Sequence, residues 1–168
     1  MTKLANPLIP GFNPDPSIVV ADGAYYVVTS TFEYLPGIPV YRSTDLVNWQ
    51  HIGNVATRPE QVEIGDAITG LGVWAPTIRH RRGVFYVIVT VAGGPRGCVV
   101  FTATDPAGPW SDGTTIEGVG GIDPDLAWDD DGSAYVTFSG LQMSGPDLGR
   151  HLGIQQVRVD IDAGKALE

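Results

Sequence analysis

The sequence predicts an all-β chain made of β-propeller blades, and three observations carry that expectation. Glycine and proline number 22 and 13 of 168 residues, which disfavours long helices and favours short strands joined by tight turns. Apolar residues fall in short β-branched and aromatic runs, such as Ala24-Tyr25-Tyr26-Val27-Val28 and Val84-Phe85-Tyr86-Val87-Ile88. One arrangement of such runs recurs three times, opening at Asp15, Ala75 and Asp123, with steps of 60 and 48 residues. Each step holds about four short strands, the periodicity of a propeller. A single antiparallel blade cannot bury its faces alone, so such units stack around an axis.

The first unit opens on Asn13-Pro14-Asp15-Pro16-Ser17-Ile18. Each proline fixes its own φ and disfavours the helical region for the residue before it, so Asn13 and Asp15 are expected in extended backbone, a stiff mount for a carboxylate. Strands are predicted at 17–20 and 24–28 around the turn Ala21-Asp22-Gly23. A loop from Thr29 to Gly37 carries Phe32, Glu33 and Tyr34. A third strand covers Ile38 to Arg42, and a turn at Ser43-Thr44-Asp45 leads to a short piece around Trp49 to Ile52. Residues 53–72 read as a long connection with little periodicity.

The second unit restarts at Ala75-Pro76-Thr77-Ile78, turns at Gly83 and continues in Val84 to Ile88. The third begins at Asp123-Pro124-Asp125-Leu126, turns at Gly132 and continues in Ala134 to Thr137, with a further strand in Gly153 to Asp162. Ser43-Thr44-Asp45 with Trp49 matches Ala103-Thr104-Asp105 with Trp110, which gives both tryptophans an expected place in the core between blades. The first strand of a blade lines the axis, so Asp15, Ala75 and Asp123 are expected at equivalent positions near one end of it. Asp125 competes with Asp123, since alternation in an extended segment sends both side chains to one face; register with Asp15 selects Asp123.

Composition narrows the function classes. The formal charge is −9, and without a Lys/Arg cluster this argues against nucleic acid or an anionic membrane as partner. Met1-Thr2-Lys3-Leu4-Ala5-Asn6-Pro7 lacks the apolar core of a signal peptide. Val84 to Ala92 is too short to span a bilayer, so a soluble, cytoplasmic protein is expected. Cys98 is the only cysteine; in an apolar run it reads as a buried, inert thiol. His51, His80 and His151 share no ligand spacing, so neither a metal site nor a cofactor is assigned. Asp129-Asp130-Asp131-Gly132 reads as a hairpin turn, because a calcium loop needs an acid at Ala127. Arg79-His80-Arg81-Arg82 reads as a solvated basic turn.

Four motifs carry a resemblance to a known family. Asn6-Pro7-Leu8 with Gly11-Phe12-Asn13-Pro14-Asp15-Pro16-Ser17-Ile18 resembles the opening of glycoside hydrolase family 43, and most of all its β-xylosidase branch. Thr29-Ser30-Thr31-Phe32-Glu33-Tyr34-Leu35-Pro36-Gly37, Val73-Trp74-Ala75-Pro76 and Gly121-Ile122-Asp123-Pro124 continue the match in order across essentially all 168 residues. Thr77 departs from it, standing where xylosidase relatives often carry Asp. The resemblance implies a five-bladed β-propeller, of which residues 1–168 hold about three blades beginning near 15, 75 and 123. It also implies an inverting hydrolase of xylosides or arabinofuranosides, with a xylo-oligosaccharide or arabinose-substituted substrate.

By the same resemblance, Asp15 is the expected general base, and an aspartate suits a base that must be ionised at working pH. Asp123 matches the acid that orients the proton donor and raises its pKa by like-charge proximity. Phe32 and Trp74 match walls of the sugar pocket, where aromatic faces stack on the C–H face of a pyranose, and Ala75 leaves room for the sugar. Glu33 is expected to support its loop. No motif matches the family's glutamate proton donor, so the 168 residues alone are expected to be inactive. Three blades fall short of a closed ring and leave open sheet edges, which calls for self-association or a complementing C-terminal portion. The alternative reading is a carbohydrate-binding or scaffolding propeller without catalysis.

Overall fold

The computed structural model describes residues 6–65, 67–142 and 144–167. Met1 to Ala5, on which much of the leader reading falls, and Glu168 lie outside them. Among the described residues thirteen strands form three sheets. The first sheet is a meander of β1 (Ser17–Ala21), β2 (Ala24–Val28), β3 (Gly37–Ser43) and β4 (Gln50–Ala56). The second contains β5 (Gly72–Val73), β6 (Thr77–Arg81), β7 (Val84–Ala92), β8 (Gly97–Ala103) and β9 (Thr114–Thr115). Both β5 and β6 pair with β7, one at each end, so they act as a single inner strand interrupted at Trp74-Ala75-Pro76. The third sheet runs β10 (Gly121–Trp128), β11 (Ala134–Leu141), β12 (His151–Asp160) and β13 (Lys165–Leu167). All pairings within the sheets are antiparallel.

The core lies between the sheets. Alternation along β7 and β8 sends Val87, Val89, Val99 and Phe101 toward the first sheet, where they join Val28, Ile38, Val40 and Val55. The intervening Ile88, Cys98 and Val100 meet Leu126, Val136, Phe138 and Val159 of the third sheet. A strand buried on both faces needs apolar residues at every position, which is why β7 is the longest apolar run in the sequence. Tyr26 and Phe85 cross the first interface edge to face, with ring centroids 5.1 Å apart. No helix among the described residues is long and apolar enough to cross a membrane.

Several expectations need correction. The 53–72 connection is partly ordered: β4 runs to Ala56, and a 3-10 turn occupies Pro59–Gln61. Trp110 is buried in the core, but Trp49 is only half-buried. The first sheet has a packed neighbour on one side, the second on both, so equal places in the repeat meet unequal surroundings. Both indoles close their turns alike, Trp49 Nε1 donating to Leu46 O at 3.2 Å and Trp110 Nε1 to Pro106 O at 3.3 Å. The basic run is mostly strand β6 rather than a solvated turn. Arg79 pairs with Asp125, His80 packs on Phe85 at 4.5 Å, and Arg81 lies over the Trp128 ring at 5.2 Å. The Asp129–Gly132 segment is the β10–β11 hairpin turn, with Asp131 Oδ1 accepting from Ser133 N at 2.7 Å.

Candidate active site

Asp15 is held from both sides in sequence. Tyr41 donates its hydroxyl to Asn13 Oδ1 at 2.7 Å, and the Ser30 amide donates to Pro14 O at 3.1 Å. Ser30 Oγ then donates to Asp15 Oδ2 at 2.5 Å, a charge-assisted bond at the short end of its range. Ser30 itself is fully buried, whereas Asp15 is exposed, so a fixed residue steers an accessible carboxylate.

The backbone at Asp15 is not extended as the two prolines suggest. Its φ is +53°, and Asp123 has a φ of +54°. Both residues precede proline, which disfavours the right-handed helical region, and both occupy the left-handed region, where Asp is among the few tolerated side chains. At Asp123 this conformation coincides with a β-bulge, the pairing passing from Ile122↔Ser139 to Asp125↔Thr137. The bulge breaks the alternation that would have put Asp123 and Asp125 on one face. Asp125 is taken up by Arg79. Asp123 instead feels Asp15: partial burial, and then the Asp15 charge, push its carboxyl above the usual carboxylate range, with His151 opposing. The two acids thus lie within electrostatic reach of each other, Asp15 just ahead of the inner strand of the first sheet and Asp123 on that of the third.

A second regularity was missed in the sequence. The residue before each axial position faces a hydroxyl residue on the next strand: Pro14 O accepts from Ser30 N, Trp74 N donates to Thr90 O at 3.0 Å, and Ile122 pairs with Ser139. The signal is a Ser or Thr 15 or 16 residues after the axial position, legible once the repeat is aligned. His151 was also passed over. It lies beside Ser139, with Nδ1 3.5 Å from Ser139 Oγ, and β-pairing rather than sequence spacing brings it toward Asp123.

The loop carrying Phe32 docks on β5. Phe32 and Val73 exchange backbone hydrogen bonds of 2.8 Å, and Thr31 N also donates to Val73 O at 3.2 Å. Gly72 is required here, because a Cβ at that position would lie 2.2 Å from Phe32 O. Phe32 is therefore held against Val73, the residue before Trp74; both aromatic residues are half-buried, with Trp74 Nε1 anchored to Gly70 O at 2.8 Å. Glu33 Oε2 accepts from Gly70 N at 3.1 Å, so its carboxylate braces the loop. Ala75 follows Trp74 in the gap between β5 and β6, half-exposed. Cys98 is buried on the far side of β8, and burial pushes its thiol up to about 12. Among the described residues no group of three or more His, Cys, Asp or Glu side chains is placed to hold a metal ion.

Comparison with known proteins places this geometry in context. The model of the glycosyl hydrolases family 43 matches residues 4–167. A non-reducing end α-L-arabinofuranosidase of Bacteroides ovatus is 49% identical over 129 residues, 74% of this chain and 24% of that protein. A xylosidase/arabinosidase of Butyrivibrio fibrisolvens is 44% identical over 133 residues, 77% of this chain and 25% of that protein. The crystal structure of a xylan β-1,4-xylosidase from Bacillus halodurans superposes with a TM-score of 0.88 at 32% identity, over 99% of this chain and 33% of that one. The three sheets are blades of the five-bladed β-propeller type. The chain spans about a quarter of the length of the curated relatives it matches.

Proposed function

The chain belongs to the glycosyl hydrolases of family 43, and from that premise we propose that it forms the base side of an inverting glycosidase site for xylosidic or arabinofuranosidic bonds of xylo-oligosaccharides. The observation that carries the reading is the pairing of Asp15 with Asp123. Two carboxylates, one just ahead of β1 and one on β10, feel each other's charge and share one uncommon backbone conformation, a cost with no evident return in stability alone. The Ser30 hydroxyl leaves Asp15 one oxygen free to take a proton from water. As that water's oxygen bonds to the anomeric carbon, the glycosidic C–O bond breaks, and a separate acid, its carboxyl about 6.5–9.5 Å from that of Asp15, protonates the leaving oxygen.

We assign that acid to the part of the relatives that this chain does not cover. Asp123 is then the neighbour that orients it and keeps it protonated by like-charge proximity, the effect that, after burial, also raises its own pKa. Phe32 and Trp74 wall the sugar-binding position, and Ala75 leaves it open. Residues 1–168 are in this reading part of a catalytic propeller. Its flanks carry exposed apolar side chains, Ile18 and Val20 on β1 and Leu152 and Ile154 on β12, which further blades would cover.

The test is an assay on nitrophenyl xyloside and nitrophenyl arabinofuranoside. The chain is tried alone and together with the remaining length of the Bacillus halodurans xylosidase. Hydrolysis is expected only in the complemented form, and it should vanish with Asp15→Asn. Turnover by the 168 residues alone would sink the assignment of the acid to another part. A complemented protein that binds xylobiose but turns nothing over would favour a carbohydrate-binding propeller.

A further inference from the structure

The connection from β4 to β5 is laid against the β7–β8 hairpin from one end to the other. At its front end Gly72 pairs with Ala92 and Val73 with Val91. Beyond those pairs the close approach goes on at the hairpin tip. A Cβ on Gly93 would lie 2.6 Å from Leu71 Cδ1, and one on Gly94 would lie 2.9 Å from Glu63 O.

At the rear end stands Arg96. Its Nη1 donates to Gln61 O at 2.5 Å and Asp112 O at 2.7 Å, with Glu60 O at 3.5 Å, and its Nη2 donates to Gly113 O at 2.6 Å. Nε reaches Thr115 Oγ1 at 3.4 Å. Glu60 and Gln61 end the 3-10 turn, where the last carbonyls find no donor within the turn itself. One rigid guanidinium supplies them and joins them to the segment between β8 and β9. A lysine ammonium, with a single nitrogen, cannot span the same set.

The connection carries Gly70, whose O accepts from Trp74 Nε1 at 2.8 Å and whose N donates to Glu33 Oε2 at 3.1 Å. The Trp74 backbone is fixed by β7 through Thr90 O, whereas its indole N–H is fixed by the Gly70 carbonyl. Gly70 is exposed and lies in no strand, so its place depends on how the connection is held at its ends. Val62 and Ile64 bury side chains in the core, and Arg96 ties the backbone beside them to the second sheet.

Building on the pocket reading above, we propose that Arg96 is a positioning residue for Trp74: through the connection it sets the plane of the indole that walls the sugar position, without touching the sugar.

Indole and amide NMR shifts of the 168-residue chain test this, because native-state shifts report geometry rather than stability. Arg96→Ala should move the Trp74 indole proton upfield and shift the Gly70 amide, while the Trp49 indole, bonded to Leu46 O in the first sheet, stays in place. Arg96→Lys should move the same signals less, and it serves as the reporter if the alanine variant does not fold. Guanidinium at millimolar concentration should return the alanine variant toward the parent by refilling the carbonyl cage, as methylammonium should not. In the complemented form, Arg96→Ala should raise KM for nitrophenyl xyloside about fivefold, the worth of one hydrogen bond, at unchanged kcat. If both variants keep the Trp74 and Gly70 shifts of the parent and only unfold at lower urea, Arg96 serves stability alone and the positioning role is refuted. If Trp74 moves and KM does not, Arg96 positions the indole and the reading of Trp74 as a sugar wall falls.

Discussion

Replacing Gln61 by Met removes the four side-chain hydrogen bonds of one buried residue while keeping length and volume. Gln61 has no exposed surface, yet its amide is fully used. Oε1 accepts from Thr57 N at 2.8 Å and Arg58 N at 3.0 Å, and Nε2 donates to Val55 O at 3.2 Å and Ser111 O at 2.8 Å. It thereby ties the end of the first sheet to the segment after β8 in the second, across the connection that carries Gly70 and Gly72 toward the Phe32 loop. Four groups lose a partner, each worth about 1 kcal/mol when left unsatisfied. The Thr57 and Arg58 amides lie near solvent and recover part of this, so the expected loss is about 2–4 kcal/mol. Against a total stability of about 5–15 kcal/mol, that is a large share. With a urea slope of about 2 kcal/mol/M, the midpoint of unfolding followed by tryptophan fluorescence should fall by about 1–2 M. A midpoint within about 0.3 M of the parent, at unchanged slope, would refute the claim that this amide joins the first two blades.

Three further outcomes follow from single groups. Asp123 has its pKa raised in the folded chain by burial and then by Asp15, so its stabilising contribution is complete below the unfolded pKa and is lost as pH rises through the folded value. Asp15→Asn should lower the Asp123 pKa in carboxyl ¹³C titrations, and Asp123→Asn should gain stability over the parent as pH rises through that window; an unmoved Asp123 would separate the two acids. Cys98, held up to about 12 by burial, should resist thiol reagents at pH 8 until urea unfolds the chain, and native-state labelling at the rate of a free thiol would contradict its place in the core. Thr29 Oγ1 is buried with no hydrogen-bond partner among the described residues, so Thr29→Val should be neutral or stabilise by up to about 1 kcal/mol in urea titrations, and a clear loss would reveal a missed partner.

The blade repeat was legible because strand signals are local: alternation and Gly turns reproduced β1 and β2 to within a residue, whereas β6 runs on through Arg79, His80 and Arg81, which read as a turn. β7 was read as ending at Ile88 and runs to Ala92, since an apolar run buried on both faces has no alternation to mark its end. Aligning the repeats put Asp15 and Asp123 at equivalent positions. What stayed hidden depends on contacts between blades. Arg79 and Arg81 look like a solvated turn until Asp125 and Trp128 arrive from the third sheet. Trp49 and Trp110 match in sequence and differ in burial because their sheets have different neighbours. His151 approaches Asp123 only through strand pairing in the third sheet.

The triplet Asp15, Ala75 and Asp123 matches in the repeat and differs in its backbone. Asp15, Ala75 and Asp123 each precede a proline and each follow a residue facing the second strand at Ser30, Thr90 or Ser139. Only the two acids adopt positive φ; the Ala75 backbone carries on between β5 and β6. A left-handed residue that is not glycine costs about 1–2 kcal/mol, so at this position the first and third blades each hold a strain that the second does without. In the first blade the holding contact is visible: Ser30 fixes the Pro14 carbonyl and the Asp15 carboxylate with one residue. In the third, the bulge shifts the ladder by one residue at Asp123 and leaves Asp125 free to pair with Arg79. Strain retained at the two positions that bear carboxylates, and absent where the side chain is a methyl group, is better explained by aiming those carboxylates than by folding the blades.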